Sequence, residues 1–179
     1  YSLPMFTTID SFVHVWSSEV EATQKLFKHV TDASLHRELV PGSRTLGRLA
    51  WHIVTSLPEM MERTGLRLAG PKADSPVPGT AREIFNAYNE AAISLLEQIR
   101  TGWKDATLET TDEMYGQRWK RGMTLRALVF HQIHHRAQMT VLMRLAGLEV
   151  PGLYGPARQE WGRFGMTRRS ACRSSSARA

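Results

Sequence analysis

Apolar residues recur every three or four positions in four stretches of the chain, which is the spacing of amphipathic helices. The predicted helices cover residues 11–31, 45–68, 81–100 and 124–146. Asp10 is expected to cap the first helix, and Thr80 with Glu83 forms a capping-box pattern at the start of the third. No alternating apolar pattern indicates a β-strand between them. Helices of this number and length predict an all-α protein, a four-helix bundle.

Two connections separate the later helices. The proline- and glycine-rich segment 69–80 cannot continue a helix, so it divides the second helix from the third. The connection between the third and fourth helices, residues 101–123, is long and rich in aromatic residues. We expect this connection to cross over the bundle or to cover one of its ends.

Positive charge is concentrated at the C-terminal end of the chain. The formal net charge is +6, but residues 163–179 hold five arginines and no acid, so the rest has 18 basic and 17 acidic residues. We therefore predict one domain over residues 1–164 and a disordered Arg- and Ser-rich tail over residues 165–179. A nearly neutral domain does not favour nucleic-acid binding, which depends on a basic surface.

Composition also bears on location and redox chemistry. The chain lacks the run of about 18 apolar residues that spans a membrane, and its first residues do not resemble a secretory signal. Cys172, in the tail, is the one cysteine, so no disulfide can form within the chain. We predict a cytoplasmic protein with no membrane partner, in which any thiol chemistry uses a small-molecule thiol.

The fourth helix carries polar residues in the middle of an apolar stripe. At about 100° of rotation per residue, six positions share this stripe. They are Leu128, His131, His135, Gln138, Leu142 and Leu145. Leucines at both ends predict that the stripe faces the core, where an unsatisfied polar side chain costs several kcal/mol. Because imidazoles one turn apart converge on one ion, we predict that His131 and His135 bind a divalent metal.

A third ligand is needed to hold such an ion. His52 is the strongest candidate, because it lies between apolar residues on the second helix. The other histidines are His14, His29, His36 and His134. His134 lies about 80° to the side of the His131–His135 direction, so it is the weaker ligand and suits a supporting role. Glu59, two turns beyond His52, is either a solvated acid or a general base near the metal.

These segments resemble a known family. LGRLAWHI in the second helix, HQIHHRAQ in the fourth and the trailing GLEVPGLYGP look like the DinB/YfiT-like superfamily of metal-binding four-helix proteins. The resemblance matches His52, His131 and His135 to the three metal ligands of that family and favours His135 over His134. Alanine at position 137, where the family commonly has glycine, is a departure.

The resemblance implies a fold and an activity. The bundle is expected to be up-down-down-up and dimeric, with Zn²⁺ as the metal, or Ni²⁺ as the alternative, on three histidines. Related proteins include thiol S-transferases and mycothiol-dependent maleylpyruvate isomerases. We therefore expect transfer or isomerisation of a small electrophile with a low-molecular-weight thiol. From their positions in the sequence, Gln138, one turn beyond His135, and Glu59 are the predicted catalytic residues. A metal-dependent hydrolase and a non-catalytic metal-binding stress-response protein are the alternatives.

A second stripe on the fourth helix suggests a homodimer. Leu125, Val129, Ile133 and Met143 lie opposite the histidine stripe, bordered by arginines. A monomeric bundle would leave such a strip in water, so we predict that a second copy covers it.

Overall fold

Four helices make up most of the described chain. The computed structural model describes residues 6–166, so Cys172 and most of the predicted tail lie outside the described residues. The helices are α1 (Ile9–Phe27), α2 (Leu46–Glu62), α3 (Ala81–Gly102) and α4 (Arg121–Leu145). Short 3₁₀ helices occur at Asp32–Ser34, Asp105–Glu109 and Arg158–Phe164. The predicted four-helix bundle is confirmed, whereas the domain boundary at residue 164 stays a prediction.

The start of α4 fixes its direction relative to α1 and α2. Phe6, just before α1, lies against Gly122 in the first turn of α4. The Tyr115 hydroxyl, just before α4, donates a hydrogen bond of 2.7 Å to Glu59 in the last turn of α2. Helix α4 therefore runs parallel to α1 and antiparallel to α2.

Helix α3 runs in the same direction as α2. The Trp16 indole N–H donates to the carbonyl of Ala92 at 3.4 Å, and the Gln24 amide donates to Asn89 Oδ1 at 2.9 Å. Residues later in α1 thus meet residues earlier in α3, which makes these helices antiparallel. The order is up-down-down-up, as predicted.

Helices α2 and α3 follow each other in the chain and run in the same direction, so the segment between them, residues 63–80, must return to the end of the bundle where α2 begins. This segment runs back along α2, where the Trp51 indole N–H donates to the carbonyl of Ser75 at 2.8 Å. Thr80 then caps α3 through the predicted capping box with Glu83, whose backbone N–H lies 3.2 Å from Thr80 Oγ1. The return connection allows α3 to start at the same end of the bundle as α2.

The connection between α3 and α4 contains a β-hairpin, which corrects the expectation that no strand lies between the helices. Strand β1 (Thr111–Met114) pairs antiparallel with β2 (Gln117–Lys120) around Tyr115 and Gly116, whose φ angles are 53° and 77°. Positive φ at both turn residues is typical of a tight hairpin turn. The strands are four residues long and only Met114 is buried, so they leave no alternating apolar pattern in the sequence. Leu108 and Met114 of this connection are buried, and Tyr115 contacts the last turn of α2, so the connection lies over this end of the bundle, which was one of the two expected arrangements.

Several helix ends differ from the predicted ones. Thr8, not Asp10, caps α1, because the Thr8 hydroxyl accepts the Ser11 backbone N–H at 3.1 Å and Asp10 lies in the first turn. Helix α2 continues past Pro58 but ends at Glu62, six residues before the predicted end, and Gly65 then adopts a φ of 85°. Helix α4 begins at Arg121, three residues early.

The buried face of α4 differs from the predicted stripe. Its buried residues are Gly122, Thr124, Leu125, Leu128, Val129, Gln132, His135, Arg136, Met139, Leu142 and Met143. Their mean direction is rotated by about 80° from the predicted stripe. Gln138 and Leu145 are exposed, so their predicted burial is wrong. The reason is that α4 packs against both α1 and α2, and its buried face points between them. The two histidines lie at the edge of that face.

Because of this rotation, most of the strip that was predicted to contact a second copy faces the core instead. Leu125, Val129 and Met143 are buried within a single copy, with at most 1% of their surface exposed. They form the contact of α4 with the rest of the bundle rather than a surface for a partner. The exposed apolar residues of α4 are instead Phe130, Val141 and Leu145.

A buried ion pair joins α4 to α1 on the side away from His131. The Arg136 guanidinium is 1% exposed and donates to the Glu19 carboxylate. It also donates to the Glu19 carbonyl at 2.7 Å and to Thr23 Oγ1 at 2.8 Å. The Tyr154 hydroxyl donates to the same carboxylate at 2.7 Å, which attaches the segment after α4. Across residues 6–166, no helix has the length and mean hydropathy needed to cross a membrane.

Arg136→Ala is expected to destabilise the protein strongly, because it leaves the buried Glu19 carboxylate without its partner. Breaking a buried pair in this way costs about 3–5 kcal/mol. Urea denaturation with a chelator present measures this change apart from metal binding. Arg144→Ala, which removes an exposed arginine two turns further along α4, is the control and should change stability by less than about 0.5 kcal/mol. Equal effects of the two substitutions would contradict the assigned role of the ion pair.

Candidate metal centre

The three predicted ligands meet between α2 and α4. His52 Nε2 lies 3.1 Å from His131 Nε2, and His135 Nε2 lies 3.2 Å from the same atom. His131 and His135 are one turn apart on α4, and the antiparallel packing of α2 places His52 opposite them. In the described part of the chain, this is the one cluster of three or more histidine, cysteine, aspartate or glutamate side chains with converging ligand atoms.

The spacing of these nitrogens fits ligands of one ion. Metal–imidazole bonds are about 2.0–2.1 Å long, so neighbouring ligands on one ion lie roughly 3.0–3.4 Å apart. Hydrogen bonding alone does not account for the cluster. A ring nitrogen offers a single position in its plane, either a proton or a lone pair, so His131 Nε2 cannot bond well to both neighbours. A cation between the three nitrogens satisfies all of them.

Gln138 determines which nitrogen of His135 faces the cluster. His135 Nδ1 lies 2.7 Å from Gln138 Oε1, and since a carbonyl oxygen only accepts, the proton must be on Nδ1. The lone pair of a neutral His135 is then on Nε2 and points toward the other two histidines. A hydrogen bond of this kind orients a metal ligand and increases its basicity. Gln138 is exposed, yet it contacts the centre directly.

His134 and the remaining histidines lie outside the cluster. The exposed His134 accepts a hydrogen bond of 3.1 Å from the Gln138 amide, and its ring centroid lies 4.9 Å from that of His135. His134 thus supports Gln138, in agreement with the supporting role considered for it. His29 lies two residues after the end of α1, where its Nδ1 is 2.9 Å from the carbonyl of Lys25.

Glu59 contacts the hairpin rather than the histidines. Its carboxylate accepts from the Tyr115 hydroxyl at 2.7 Å and forms an ion pair with Arg63 at 3.3 Å. The Arg63 guanidinium also lies over the Tyr115 ring at 4.6 Å. Burial, followed by the hydrogen bond to Glu59, raises the pKa of Tyr115 to about 12, so its hydroxyl stays protonated. These contacts give Glu59 a role in attaching the hairpin to α2.

The surroundings of the three imidazoles favour their neutral form. Burial is the main cause that lowers the pKa of His52 and of His131 to about 4, and neighbouring positive charges add to it. Burial also lowers the pKa of His135, against the opposing effect of its bond to Gln138. Neutral imidazoles carry the lone pairs that a metal needs, so protons compete weakly for the site.

A cleft of about 430 Å³ lies next to the histidines. It is lined by Leu39, Ser43, Arg44, Leu49, Gln138, Val141 and Leu142. Leu49 is one turn before His52, and Gln138 is one turn after His135. Arg44, in the loop before α2, was not identified from the sequence, because nothing in the loop pattern shows which helix it faces.

Comparisons with known proteins agree on one family. The DinB family model matches residues 5–169. The uncharacterized protein YrdA of Bacillus subtilis (strain 168) is 44% identical over 162 residues, which cover 90% of this chain and 97% of that protein. A crystal structure of a DinB-like protein from Bacillus cereus ATCC 10987 is 44% identical with a TM-score of 0.81, covering 84% of this chain and 100% of that one. The DinB-like protein YjoA of Bacillus subtilis, at 19% identity and a TM-score of 0.63 over 82% and 98% of the chains, shows likeness of fold alone.

Removal of one ligand should abolish tight metal binding. Losing a hydrogen-bond partner of a metal ligand weakens metal binding roughly 10- to 100-fold. Losing the ligand itself costs more, so His131→Ala is expected to weaken Zn²⁺ binding by more than about 100-fold. Metal content after dialysis, measured by mass spectrometry, checks this. His134→Ala is the matched control on the same helix and should retain about one metal per chain. Full occupancy in His131→Ala would show that metal binds elsewhere.

The metal-free protein should lose stability as the pH falls from about 6.5 to about 4. An unfolded histidine has a pKa of about 6.5, whereas His52 and His131 have folded values of about 4. In this window the unfolded chain binds more protons, so the free energy of unfolding decreases as pH falls. Urea titrations at several pH values with chelator measure the slope. His131→Gln should make it shallower, and an identical slope in this variant would contradict the assignment.

Proposed function

Because the chain belongs to the DinB family, as its histidine motifs predicted, we propose that it is a divalent-metal enzyme that joins a low-molecular-weight thiol to a small electrophile. One observation carries this proposal: three neutral imidazole nitrogens from two helices converge at the edge of the core, beside an open cleft. Zn²⁺ is the proposed metal and Ni²⁺ the alternative, since imidazole suits both. A site at the edge of the core leaves room for reactants that a fully enclosed structural site would exclude.

The proposed reaction uses a thiol supplied by a small molecule. The described residues contain no cysteine, so within them no side chain can act as the sulfur nucleophile. When bound, a divalent metal on three imidazoles supplies positive charge that lowers the pKa of a neighbouring thiol. The thiol proton passes to solvent, and the sulfur forms a bond to the electrophilic carbon. The leaving group departs with the electron pair of the bond that breaks.

Gln138 is the residue that links the histidines to the cleft. It accepts the Nδ1 proton of His135 and at the same time lines the cleft, so it holds His135 in the orientation that a ligand needs. We assign it a positioning role on the metal side and contact with the reactants on the cleft side. Glu59 receives no step in this proposal, because its carboxylate is bonded to Tyr115 and Arg63.

A homodimer, which the resemblance implies, stays a prediction. Three of the four residues of the strip first predicted for it, Leu125, Val129 and Met143, are buried in the bundle. Phe130 and Leu145 leave exposed apolar surface on α4, outside the cleft, that suits a contact with a second copy.

Gln138→Leu should lower the thiol-transfer rate about 10- to 100-fold at saturating metal, the usual cost of losing a hydrogen-bond partner of a ligand. The assay follows chlorodinitrobenzene with a panel of thiols such as cysteine, glutathione and coenzyme A. Metal content and thermal stability are measured on the same samples. Thr140→Val, which removes a polar group of α4 outside the cleft, is the control and should keep the rate.

The same measurements separate the proposed enzyme from a metal-binding protein without activity. In that case the wild type would transfer no thiol with any acceptor, and Gln138→Leu would change only metal affinity, through the lost hydrogen bond to His135. Activity toward an ester but not toward any thiol and electrophile would instead favour the hydrolase.

A further inference from the structure

We propose that the cleft beside the histidines binds a small organic anion with an apolar body, and that Arg44 recognises its anionic group. This inference rests on the proposed function and names the chemical class of its electrophile. Arginine matches both carboxylate and phosphate with two parallel hydrogen bonds, and we name the carboxylate because its single charge balances the single arginine of the lining.

The position of the cleft connects it to the histidines. Leu49 on one wall lies three residues before His52 on α2, and Gln138 on the other lies three residues after His135 on α4. Gln138 is also hydrogen-bonded to His135. A molecule in the cleft is therefore within one helical turn of the metal ligands on both sides.

The lining selects an apolar body. Leu39, Leu49, Val141 and Leu142 supply aliphatic surface, and the cavity of about 430 Å³ is at the small end of the range for small-molecule sites, roughly 300–1,000 Å³. Leu39 is held in place by its loop, because its backbone N–H donates to the Ser43 hydroxyl at 3.3 Å. A wholly polar ligand would leave this surface in contact with water and gain little from it.

Arg44 supplies the charge, and it is the single charged residue of the lining. Four ion pairs occur between residues 6 and 166, and none includes Arg44. Glu38, in the same loop, accepts the backbone N–H of Gly42 at 3.2 Å. Arg44 is exposed and lines the cleft, and within residues 6–166 no hydrogen bond or ion pair takes up its guanidinium, so its donors are available to a ligand. A cationic ligand is disfavoured there, and an uncharged ligand would not use the arginine.

The test compares an anion with an uncharged molecule of the same size. Hexanoate and hexanol serve as probes, and calorimetry measures their binding to the zinc-loaded full chain. Arg44→Ala should weaken hexanoate binding about 10- to 100-fold, as expected for the loss of a charge-assisted pair. It should leave hexanol binding unchanged. Arg48→Ala is the matched control, because Arg48 is an exposed arginine of the first turn of α2 that does not line the cleft.

A second comparison, with and without chelator, identifies what holds the carboxylate. Hexanoate binding that needs zinc and is equal in wild type and Arg44→Ala would mean that the metal holds the carboxylate, and would overturn the proposal. The proposal would also be overturned if hexanoate does not bind and Val141→Lys converts a dimer to monomers. These two results together would mean that a second copy of the chain occupies the cleft. Circular dichroism checks that each variant is folded.

Failure of the proposed function would be visible separately. If no thiol is transferred but Arg44 still governs hexanoate binding, the anion site stands and the enzymatic proposal is wrong. If thiol is transferred and Arg44→Ala binds hexanoate like the wild type, the assignment of Arg44 is wrong and the enzymatic proposal stands.

Discussion

The contact between His131 Nε2 and the Nε2 atoms of His52 and His135, at 3.1 and 3.2 Å, depends on one register between α2 and α4. A shift of either helix by one residue moves a ligand by about 1.5 Å and 100° and opens the cluster. Three features of the fold hold that register. The return connection 63–80 follows α2, the hairpin joins α2 to the start of α4, and the Arg136–Glu19 pair fixes α4 to α1. Each lies outside the histidine cluster, so the centre is assembled by packing around it.

Helix α4 separates two polar clusters of different character. On one side, Arg136 and Glu19 are buried and matched in charge, so they stabilise a single arrangement of the helices. On the other, the three imidazoles are half-buried or at the edge of the core, burial favours their neutral form, and their Nε2 atoms converge. Neutral nitrogens without matching protons favour a cation between them. The first cluster supplies rigidity, and the second offers three candidate ligands for a metal.

Position at the edge of the core links the metal centre to the proposed chemistry. A site in the middle of the bundle would be reached only by the ion, whereas here Gln138 contacts His135 and the cleft at once. The aliphatic walls and Arg44 provide binding energy for a small anion next to the place where a thiol would be activated. Proximity of this kind is the main contribution that a small bundle can offer to a reaction between two small molecules.

Local pattern in the sequence determined the helices, the capping box at Thr80 and the candidate ligands, because helical spacing and side-chain chemistry depend on neighbours a turn away. It also placed His131 and His135 on one side of α4. It did not determine which side of α4 is buried, since a helix with two neighbours points its core face between them. The exposure of Gln138, the burial of the predicted dimer strip and the contacts of Glu59 with Tyr115 follow from that rotation and from the hairpin. The place of Arg44 beside the histidines is likewise a tertiary result, because a loop carries no periodicity that shows where it packs.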